Sequence, residues 1–261
     1  GLFTEDVCLL YGMISRLDHG VGVVLDALEK LGLQENTVVV FTSDNGPEFM
    51  SDYLTRPTHT ERFNCNLRGS KGSVYEGGIR VPLMVRWPAG ILGGMSVGFM
   101  AHFTDWFTTL LSLAGTDIPR DRVIDGVDLV PAFQGNEANL PDERFWQWNR
   151  YSPVPSCNAA MRQGDWKLVY PEIPEAMKVF DVEWLQVSMY SPEYFETRGV
   201  IADPEPERIL SSPRGAQLFN VAQDPQEEND VALAHPERVR AMTVKIENWF
   251  EDIERDRLRS L

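Results

Sequence analysis

The stretch that decides the fold is Thr37-Val-Val-Val-Phe-Thr-Ser-Asp-Asn-Gly-Pro47. Its first part, up to Thr42, is β-branched or apolar without alternation, which is typical of a strand buried on both faces. An amphipathic helix precedes this strand, because apolar residues recur at steps of three or four between Thr4 and Leu31. A helix followed by a buried strand predicts a mostly parallel α/β sheet. The polar turn after Thr42 would then lie at the carboxyl end of the strand, where open sheets bind ligands.

The α/β pattern continues to residue 140. Pro82-Leu-Met-Val-Arg-Trp87 predicts a second buried strand, because it is another short apolar run that a proline closes. The residues from Phe103 to Ala114 predict a second helix, with apolar side chains on one face and Gly115 at its end. We therefore predict that residues 1–140 form an α/β domain.

Residues 141–261 have a different pattern, which predicts a small α+β subdomain of four antiparallel strands and a closing helix. Gln163-Gly164-Asp165 has the composition of a tight hairpin turn between the middle two strands. The closing helix is predicted over Pro236 to Arg259, with proline in its first turn. Residues 172–214 are rich in proline and aromatic residues without a period, and we interpret them as an insertion. The predicted strands are Arg144–Asn149, Ala159–Arg162, Trp166–Tyr170 and Gln217–Asn220.

Composition excludes some classes of function. The formal net charge of −15 argues against a nucleic-acid partner, because nothing in such a surface would neutralise a run of phosphates. It also argues against general attraction to anionic membranes. No run reaches the roughly 18 uninterrupted apolar residues of a membrane span, so we expect none in this chain. The three cysteines stand at unrelated spacings and predict neither a zinc site nor a disulfide framework.

Asp44 and Asn45 are the first candidate site residues. A carboxylate and an amide oxygen, adjacent at a strand end, are ligands of the kind that Ca²⁺ or Mg²⁺ prefers. The alternative is ordinary turn chemistry, since Asp-Asn-Gly is also a common turn sequence. These residues alone therefore leave both interpretations open.

A glycine-rich run, Leu67-Arg-Gly-Ser-Lys-Gly-Ser-Val-Tyr-Glu-Gly-Gly-Ile-Arg-Val-Pro82, carries the second candidate, Lys71. Its glycines allow sharp turns and a close approach to a ligand, and the Lys71 ammonium in a pocket would stabilise an anionic oxygen. The alternative is a surface loop with a solvated lysine. Within the run, Glu76 and Arg80 stand four apart, and we predict that they brace the loop. The later acidic run Glu227-Glu-Asn-Asp230 is predicted to be a solvated loop.

Taken together and in order, these segments resemble the type I, formylglycine-dependent sulfatases, and the chain looks like the C-terminal half of an arylsulfatase-like member. The resemblance covers nearly the whole chain and is weak only over residues 50–65 and 172–214. The matching segments are Leu25-Asp-Ala-Leu-Glu-Lys-Leu-Gly32, Asn36 to Pro47, the run around Lys71, Pro82 to Pro88, Gly164-Asp-Trp-Lys-Leu-Val169 and Leu218-Phe-Asn-Val-Ala-Gln-Asp-Pro-Gln-Glu-Glu-Asn229.

The resemblance implies a fold and a site. The fold would be alkaline-phosphatase-like, with residues 1–140 as the C-terminal part of the catalytic domain and 141–261 as the C-terminal subdomain. The activity would be hydrolysis of sulfate esters of small molecules or carbohydrates. Asp44 and Asn45 would bind one divalent cation, Ca²⁺ with Mg²⁺ as the alternative, and Lys71 would contact a sulfate oxygen. Asn149 and Arg150 stand where the substrate-shaping segments of the family fall. His59, between the two motifs, is a further candidate for facing the substrate, and the alternative is an exposed loop histidine.

The nucleophile of the family is missing from this sequence. It is a formylglycine made from the first residue of a Cys/Ser-x-Pro/Ala-Ser/Ala-Arg motif, and none of Cys8, Cys65 and Cys157 is followed by such residues. We expect the motif, with further acidic metal ligands, to precede Gly1, so this chain alone would be inactive. The resemblance suggests an exported, periplasmic or lysosomal protein.

Two other functions remain as alternatives. One is hydrolysis of phosphate or phosphonate esters within the same superfamily, where a histidine often follows the metal-binding aspartate and suits Zn²⁺ or Mn²⁺. Asn45 is a harder ligand and favours the sulfatase. The other alternative is a truncated, non-catalytic binding protein.

Overall fold

The computed structural model describes residues 5–48, 63–178 and 207–259, and these divide between two compact units. The first unit is formed by Gly1–Asp44 and Pro82–Arg144, and the second by Asn45–Val81 and Phe145–Leu261. The sequence predicted one boundary, at residue 140, with the glycine-rich run in the first domain. In the structure the chain enters the second unit at Asn45, returns to the first at Pro82 and leaves it again within the strand Glu143–Gln147.

The first unit contains the predicted helix–strand order. Its strands β1 (Val39–Thr42) and β2 (Leu83–Arg86) pair antiparallel, with Val39 opposite Arg86 and Thr42 opposite Leu83. For these two strands the direction differs from the predicted parallel arrangement, because an apolar run fixes which residues are buried but not which way a neighbour runs. The elements of this unit are α1 (Glu5–Lys30), a 3₁₀ helix (Gln34–Asn36), β1 (Val39–Thr42), β2 (Leu83–Arg86), α3 (Asp105–Leu113) and α4 (Val130–Phe133).

Helix α1 keeps much of its apolar stripe exposed among the described residues. Leu17 and Val24 are both 56% exposed. The stretch Val7–Lys30 is long and apolar enough to cross a membrane by length and composition alone. Core helices and signal sequences near an N-terminus meet the same criteria, so these two properties do not assign the helix to a membrane. The absence of a membrane span therefore stays a prediction.

A buried ion pair fixes the start of α3. Asp105 is fully buried, and its carboxylate oxygens lie 2.7 and 2.9 Å from Nη2 of Arg144. The same carboxylate accepts hydrogen bonds from the backbone N–H groups of His102 at 2.7 Å and Val127 at 3.0 Å. The charge of Asp105 is thus satisfied from several sides, which is what burial of a carboxylate requires.

The second unit is built on an antiparallel sheet in the order β3-β4-β5-β6. The hairpin between β4 and β5 closes at Gln163 and Trp166, with Gly164 at a φ of +55°, as the turn sequence predicted. Helix α6 packs on the sheet through Met242 and Ile246, which contact a core of apolar strand residues. The elements of this unit are α2 (Glu76–Ile79), β3 (Glu143–Gln147), β4 (Ala159–Gln163), β5 (Trp166–Tyr170), α5 (Pro174–Met177), β6 (Gln217–Asn220), a 3₁₀ helix (Ala232–Ala234) and α6 (Pro236–Arg259).

The three thiols should differ sharply in reactivity. Cys157 is buried against Ile173 and Ala176, and burial raises the pKa of its thiol, whereas Cys8 and Cys65 are exposed. Because the thiolate is the reactive form, we expect Ellman's reagent to modify Cys8 and Cys65 rapidly in the native protein, and Cys157 only after denaturation. Peptide mapping of the labelled sites checks this, and rapid labelling of Cys157 under native conditions would contradict it.

Candidate active site

Two motifs that are separate in the sequence lie side by side in the second unit. The backbone N–H of Gly46 donates to the carbonyl of Gly78 at 2.9 Å, and the N–H of Lys71 donates to the carbonyl of Pro47 at 3.0 Å. These two bonds dock the glycine-rich run on the turn that follows β1. The structure therefore brings Lys71 next to the segment that begins with Asn45.

The glycines are required at this junction because the backbones approach too closely for side chains. A Cβ atom on Gly46 would lie 1.8 Å from the carbonyl oxygen of Gly77. One on Gly78 would lie 2.0 Å from the carbonyl oxygen of Ser73. Neither contact involves a side chain that could move away. A substitution at Gly46 would therefore force the two segments apart, and one at Gly78 would distort the glycine-rich run itself. The glycine spacing in the sequence thus encodes docking rather than a loose surface loop.

The side chain of Lys71 lies on the surface of the loop. It is 51% exposed, and its Nζ is 3.8 Å from Oε2 of Glu48, which is 37% exposed. An exposed pair at this distance contributes little to stability, so the ammonium is available to a ligand at small cost. The backbone of Lys71 is therefore fixed while its charged end is not.

Asp44 and Asn45 follow β1 after one residue, Ser43. Asp44 is exposed, and the side-chain nitrogen of Asn45 donates to the carbonyl of Gly46 at 2.9 Å, which directs the amide on the turn. Their oxygens suit a hard cation, but Ca²⁺ takes about six to eight oxygen ligands. Within residues 5–48, 63–178 and 207–259, no group of three or more His, Cys, Asp or Glu side chains could hold a metal ion. These two residues thus fit part of a cation site, and the metal stays a prediction.

A buried ionic cluster connects the glycine-rich loop to β5. Nζ of Lys167, on β5, lies 2.9 Å from Oε1 of Glu76 and 2.9 Å from Oε1 of Glu227. All three side chains are at most 3% exposed. The other oxygen of Glu227 accepts the backbone N–H of Glu76 at 2.6 Å, and its backbone carbonyl accepts Nη1 of Arg68 at 3.0 Å. We call Lys167, Glu76 and Glu227 the buried triad.

The triad confirms one sequence interpretation and corrects another. Glu76 does brace the loop, and Arg80 Nη1 lies 3.8 Å from its Oε2, but the closer partner is Lys167. The prediction of a solvated acidic run is wrong for Glu227, which is fully buried. Burial raises the pKa of the Glu227 carboxyl, and the nearby Lys167 opposes that rise. The Glu227 carboxylate joins the glycine-rich loop to β5, because it contacts both Lys167 and the backbone of Glu76.

The predicted substrate-facing residues lie beside the same loop where the structure describes them. Trp148 packs on Gly72, with ring atom Cζ3 3.4 Å from the position of a glycine Cβ, and the Arg150 guanidinium lies 4.8 Å from the centre of the Trp148 ring. The amide of Asn149 points to the carbonyl of Cys157 at 3.4 Å. His59 lies outside the described residues. A residue that sequence analysis missed, Asn158, connects these parts.

An α/β unit and an α+β unit, the second of which docks a lysine-bearing glycine loop on Gly46 and Pro47, are consistent with an alkaline-phosphatase-like fold. The family model of the sulfatases matches residues 7–116, and the model of the C-terminal region of N-sulphoglucosamine sulphohydrolase matches residues 70–189. The chain therefore carries a sulfatase family domain, and it corresponds to the C-terminal part of its relatives. The family resemblance predicted from the motifs is confirmed.

Named relatives agree with this assignment. The chain is 38% identical over 153 residues to steryl-sulfatase of Mus musculus, which covers 59% of this chain and 23% of that protein. It is 28% identical over 241 residues to N-acetylgalactosamine-6-O-sulfatase of Bacteroides thetaiotaomicron, covering 90% of this chain and 40% of that protein. The chain thus spans less than half the length of these relatives.

Solved structures confirm the fold class. The crystal structure of Ps i-CgsB matches with a TM-score of 0.67 at 26% identity, over 94% of this chain and 43% of that one. The PsFucS1 sulfatase from Pseudoalteromonas sp. matches with a TM-score of 0.56 at 23% identity, over 88% of this chain and 41% of that one. Both matches extend over most of the chain.

Proposed function

We propose that this chain is part of a sulfuric ester hydrolase in which Lys71 binds a sulfate oxygen. The observation that carries the proposal is the docking of the Lys71 loop on the turn that follows β1, through the hydrogen bonds of Gly46 and Lys71. The match to the sulfatase family model supports the same reaction. The hydrolysis consumes one water molecule and releases an alcohol and inorganic sulfate.

The chemistry follows from charge. The sulfate ester is an anion, and negative charge grows on oxygen as the bond between sulfur and the alcohol oxygen breaks. The Lys71 ammonium, held beside the turn, would stabilise that charge as a point cation. Asp44 and Asn45 would hold a divalent cation, Ca²⁺ or Mg²⁺, which supplies further positive charge to the sulfate when bound. Family resemblance assigns the nucleophile to a formylglycine, and the motif that supplies this residue does not occur among the motifs of this sequence.

We propose a sulfated carbohydrate or a small sulfated alcohol as the substrate. Two relatives are named for sulfated substrates, steryl sulfate in one case and N-acetylgalactosamine 6-sulfate in the other. Ps i-CgsB, at 26% identity, was solved in complex with k-i-k-neocarrahexaose, a saccharide. Trp148 and Arg150 beside the loop support this class, because an aromatic ring and a guanidinium are groups that proteins use to bind sugars and their anionic substituents.

Replacing Lys71 by alanine tests the proposal. We expect Lys71→Ala to lower kcat on 4-nitrophenyl sulfate by about 100-fold in the full-length protein, because it removes a cation that acts on developing charge. Lys30→Ala is the matched control, since Lys30 lies in the last turn of α1 and outside the site. Both variants should unfold at the wild-type temperature.

Three results would contradict the proposal. Unchanged turnover in Lys71→Ala would remove Lys71 from the site. Faster hydrolysis of 4-nitrophenyl phosphate than of the sulfate would favour the phosphoesterase alternative. Absence of ester hydrolysis by the full-length wild-type protein would leave the binding-protein alternative.

A further inference from the structure

Asn158 connects the Lys71 loop to the segment that contains Trp148. Its side-chain nitrogen donates to the carbonyl of Gly72 at 2.7 Å and to the carbonyl of Trp148 at 2.6 Å. Its side-chain oxygen accepts the backbone N–H of Val74 at 3.1 Å. The side chain is 2% exposed, so all of these bonds are shielded from water.

Asparagine suits this position for two reasons. The residue has a φ of +44°, a left-handed conformation that asparagine adopts more readily than most residues. Its amide also offers two donors and an acceptor from one planar group, which matches two carbonyls and one N–H. Aspartate has the same shape but would place a carboxylate oxygen against the carbonyls of Gly72 and Trp148.

The bonds of Asn158 bear directly on Lys71. The N–H of Lys71 is held by the carbonyl of Pro47, and the carbonyl of the next residue, Gly72, is held by Asn158. The backbone of Lys71 is therefore fixed on both sides. Its side chain is 51% exposed, and among the described residues its ion-pair contact is the distant one with Glu48, at 3.8 Å. The place of the ammonium is thus set mainly by its backbone.

We propose that Asn158 is a positioning residue for the hydrolytic reaction: it holds Lys71 in place through Gly72 and holds the Trp148 segment beside it. This inference rests on the proposed function, because Lys71 must act on the substrate for its position to matter. Asn158 does not touch the reacting atoms in this role. It acts through the loop.

The experiment combines hydrogen exchange with a double-mutant cycle in the full-length protein. Asn158→Asp keeps the shape and removes the donors, and Asn158→Gly removes the amide while tolerating the positive φ, in case the first variant does not fold. Asn136→Asp is the matched control, because the exposed Asn136 serves only as an acceptor, for the N–H of Ala138, in its described side-chain bond. Turnover of 4-nitrophenyl sulfate is normalised to the folded fraction, measured by circular dichroism.

We expect the amide of Lys71 to exchange about tenfold faster in Asn158→Asp, and kcat to fall by about tenfold, the scale of one or two lost hydrogen bonds. In the Lys71→Ala background the same substitution should cause no further loss, because residues that act through one another are not additive. A residue that only stabilised the fold would lower the folded fraction and leave the normalised kcat unchanged in both backgrounds.

Each outcome decides the proposal. Equal losses in the two backgrounds, or unchanged exchange of the Lys71 amide, would overturn it. Faster exchange without loss of turnover would overturn it too, while the proposed function would stand. A wild-type protein that hydrolyses no sulfate ester would overturn the proposed function and with it a role in catalysis, and the exchange rates would then show separately whether Asn158 holds the loop.

Discussion

Replacing Lys167 by methionine is expected to lower the free energy of unfolding by about 3–5 kcal/mol, because it leaves two buried carboxylates without their cation. Lys167 lies 2.9 Å from both Glu76 and Glu227, and all three side chains are at most 3% exposed. Water cannot replace the lost ammonium at such a site. Methionine has nearly the same length, so the effect of Lys167→Met reports charge rather than volume.

Urea denaturation followed by circular dichroism measures this loss. A triple variant, Lys167→Met with Glu76→Gln and Glu227→Gln, is the control, since it removes all three charges and keeps their approximate shapes. It should recover most of the stability, as neutral replacements of buried ionic groups commonly do. If the triple variant is as unstable as Lys167→Met, packing rather than unpaired charge would be the cause.

The triad also predicts a pH dependence. Burial raises the pKa of Glu227 above its ordinary value of 4.5, and Lys167 opposes the rise. A raised carboxyl pKa means that this group favours the folded state at pH below 4.5, and that the contribution is lost as pH rises through the folded-state pKa. Without Lys167 the folded-state pKa of Glu227 would be higher, so its contribution to the free energy of unfolding would go on decreasing up to a higher pH. The stability difference between wild type and Lys167→Met should therefore be larger at about pH 7 than at about pH 4.

Replacing Asp105 by asparagine should lower the free energy of unfolding by about 3 kcal/mol, because it leaves the Arg144 guanidinium buried without a counter-charge. Arg144 is 7% exposed and Asp105 is fully buried. Asparagine can still accept some of the backbone hydrogen bonds, so the main loss in Asp105→Asn is the ion pair.

Thermal or urea unfolding of Asp105→Asn measures the effect. Asp121→Asn supplies the comparison, because Asp121 makes the same kind of contact with Arg122 at 2.6 Å but is 64% exposed. That control should unfold like the wild type. Adding Arg144→Met to Asp105→Asn should restore part of the loss, and a further decrease in the double variant would exclude unpaired charge as the cause.

Local patterns predicted most of the secondary structure. The closing helix occurs over Pro236–Arg259 as predicted, and the strands Trp166–Tyr170 and Gln217–Asn220 have the predicted bounds. Each is encoded by its own apolar spacing and by the glycine or proline at its end. The direction of pairing between β1 and β2 is not encoded in this way, because it depends on where the intervening chain goes.

The candidate site was predicted where a motif marked it. Asp44, Asn45 and Lys71 were recognisable from residue types and their order. The hydrogen bonds of Gly46 and Lys71 place the Lys71 loop beside the segment that begins with Asn45. The roles of Asp44 and Asn45 as metal ligands and of Arg150 as a substrate contact stay predictions.

The buried connections could not be predicted from the sequence. Lys167 and Glu76 are 91 residues apart, and Glu227 is 151 residues from Glu76. Asn158 is 84 residues from Val74 and belongs to no motif. Such pairs are determined by how the segments meet in space, and no local spacing indicates them.

The buried triad has a consequence for the order in which the protein can assemble. Glu227 accepts hydrogen bonds from the backbone N–H of Glu76 and from the side chain of Arg68, so the loop that presents Lys71 depends on a residue 151 positions after Glu76. The loop cannot reach its final form until that late segment has been synthesised and folded. A polypeptide that stopped before Glu227 would contain Lys71 but would lack the carboxylate that joins its loop to β5.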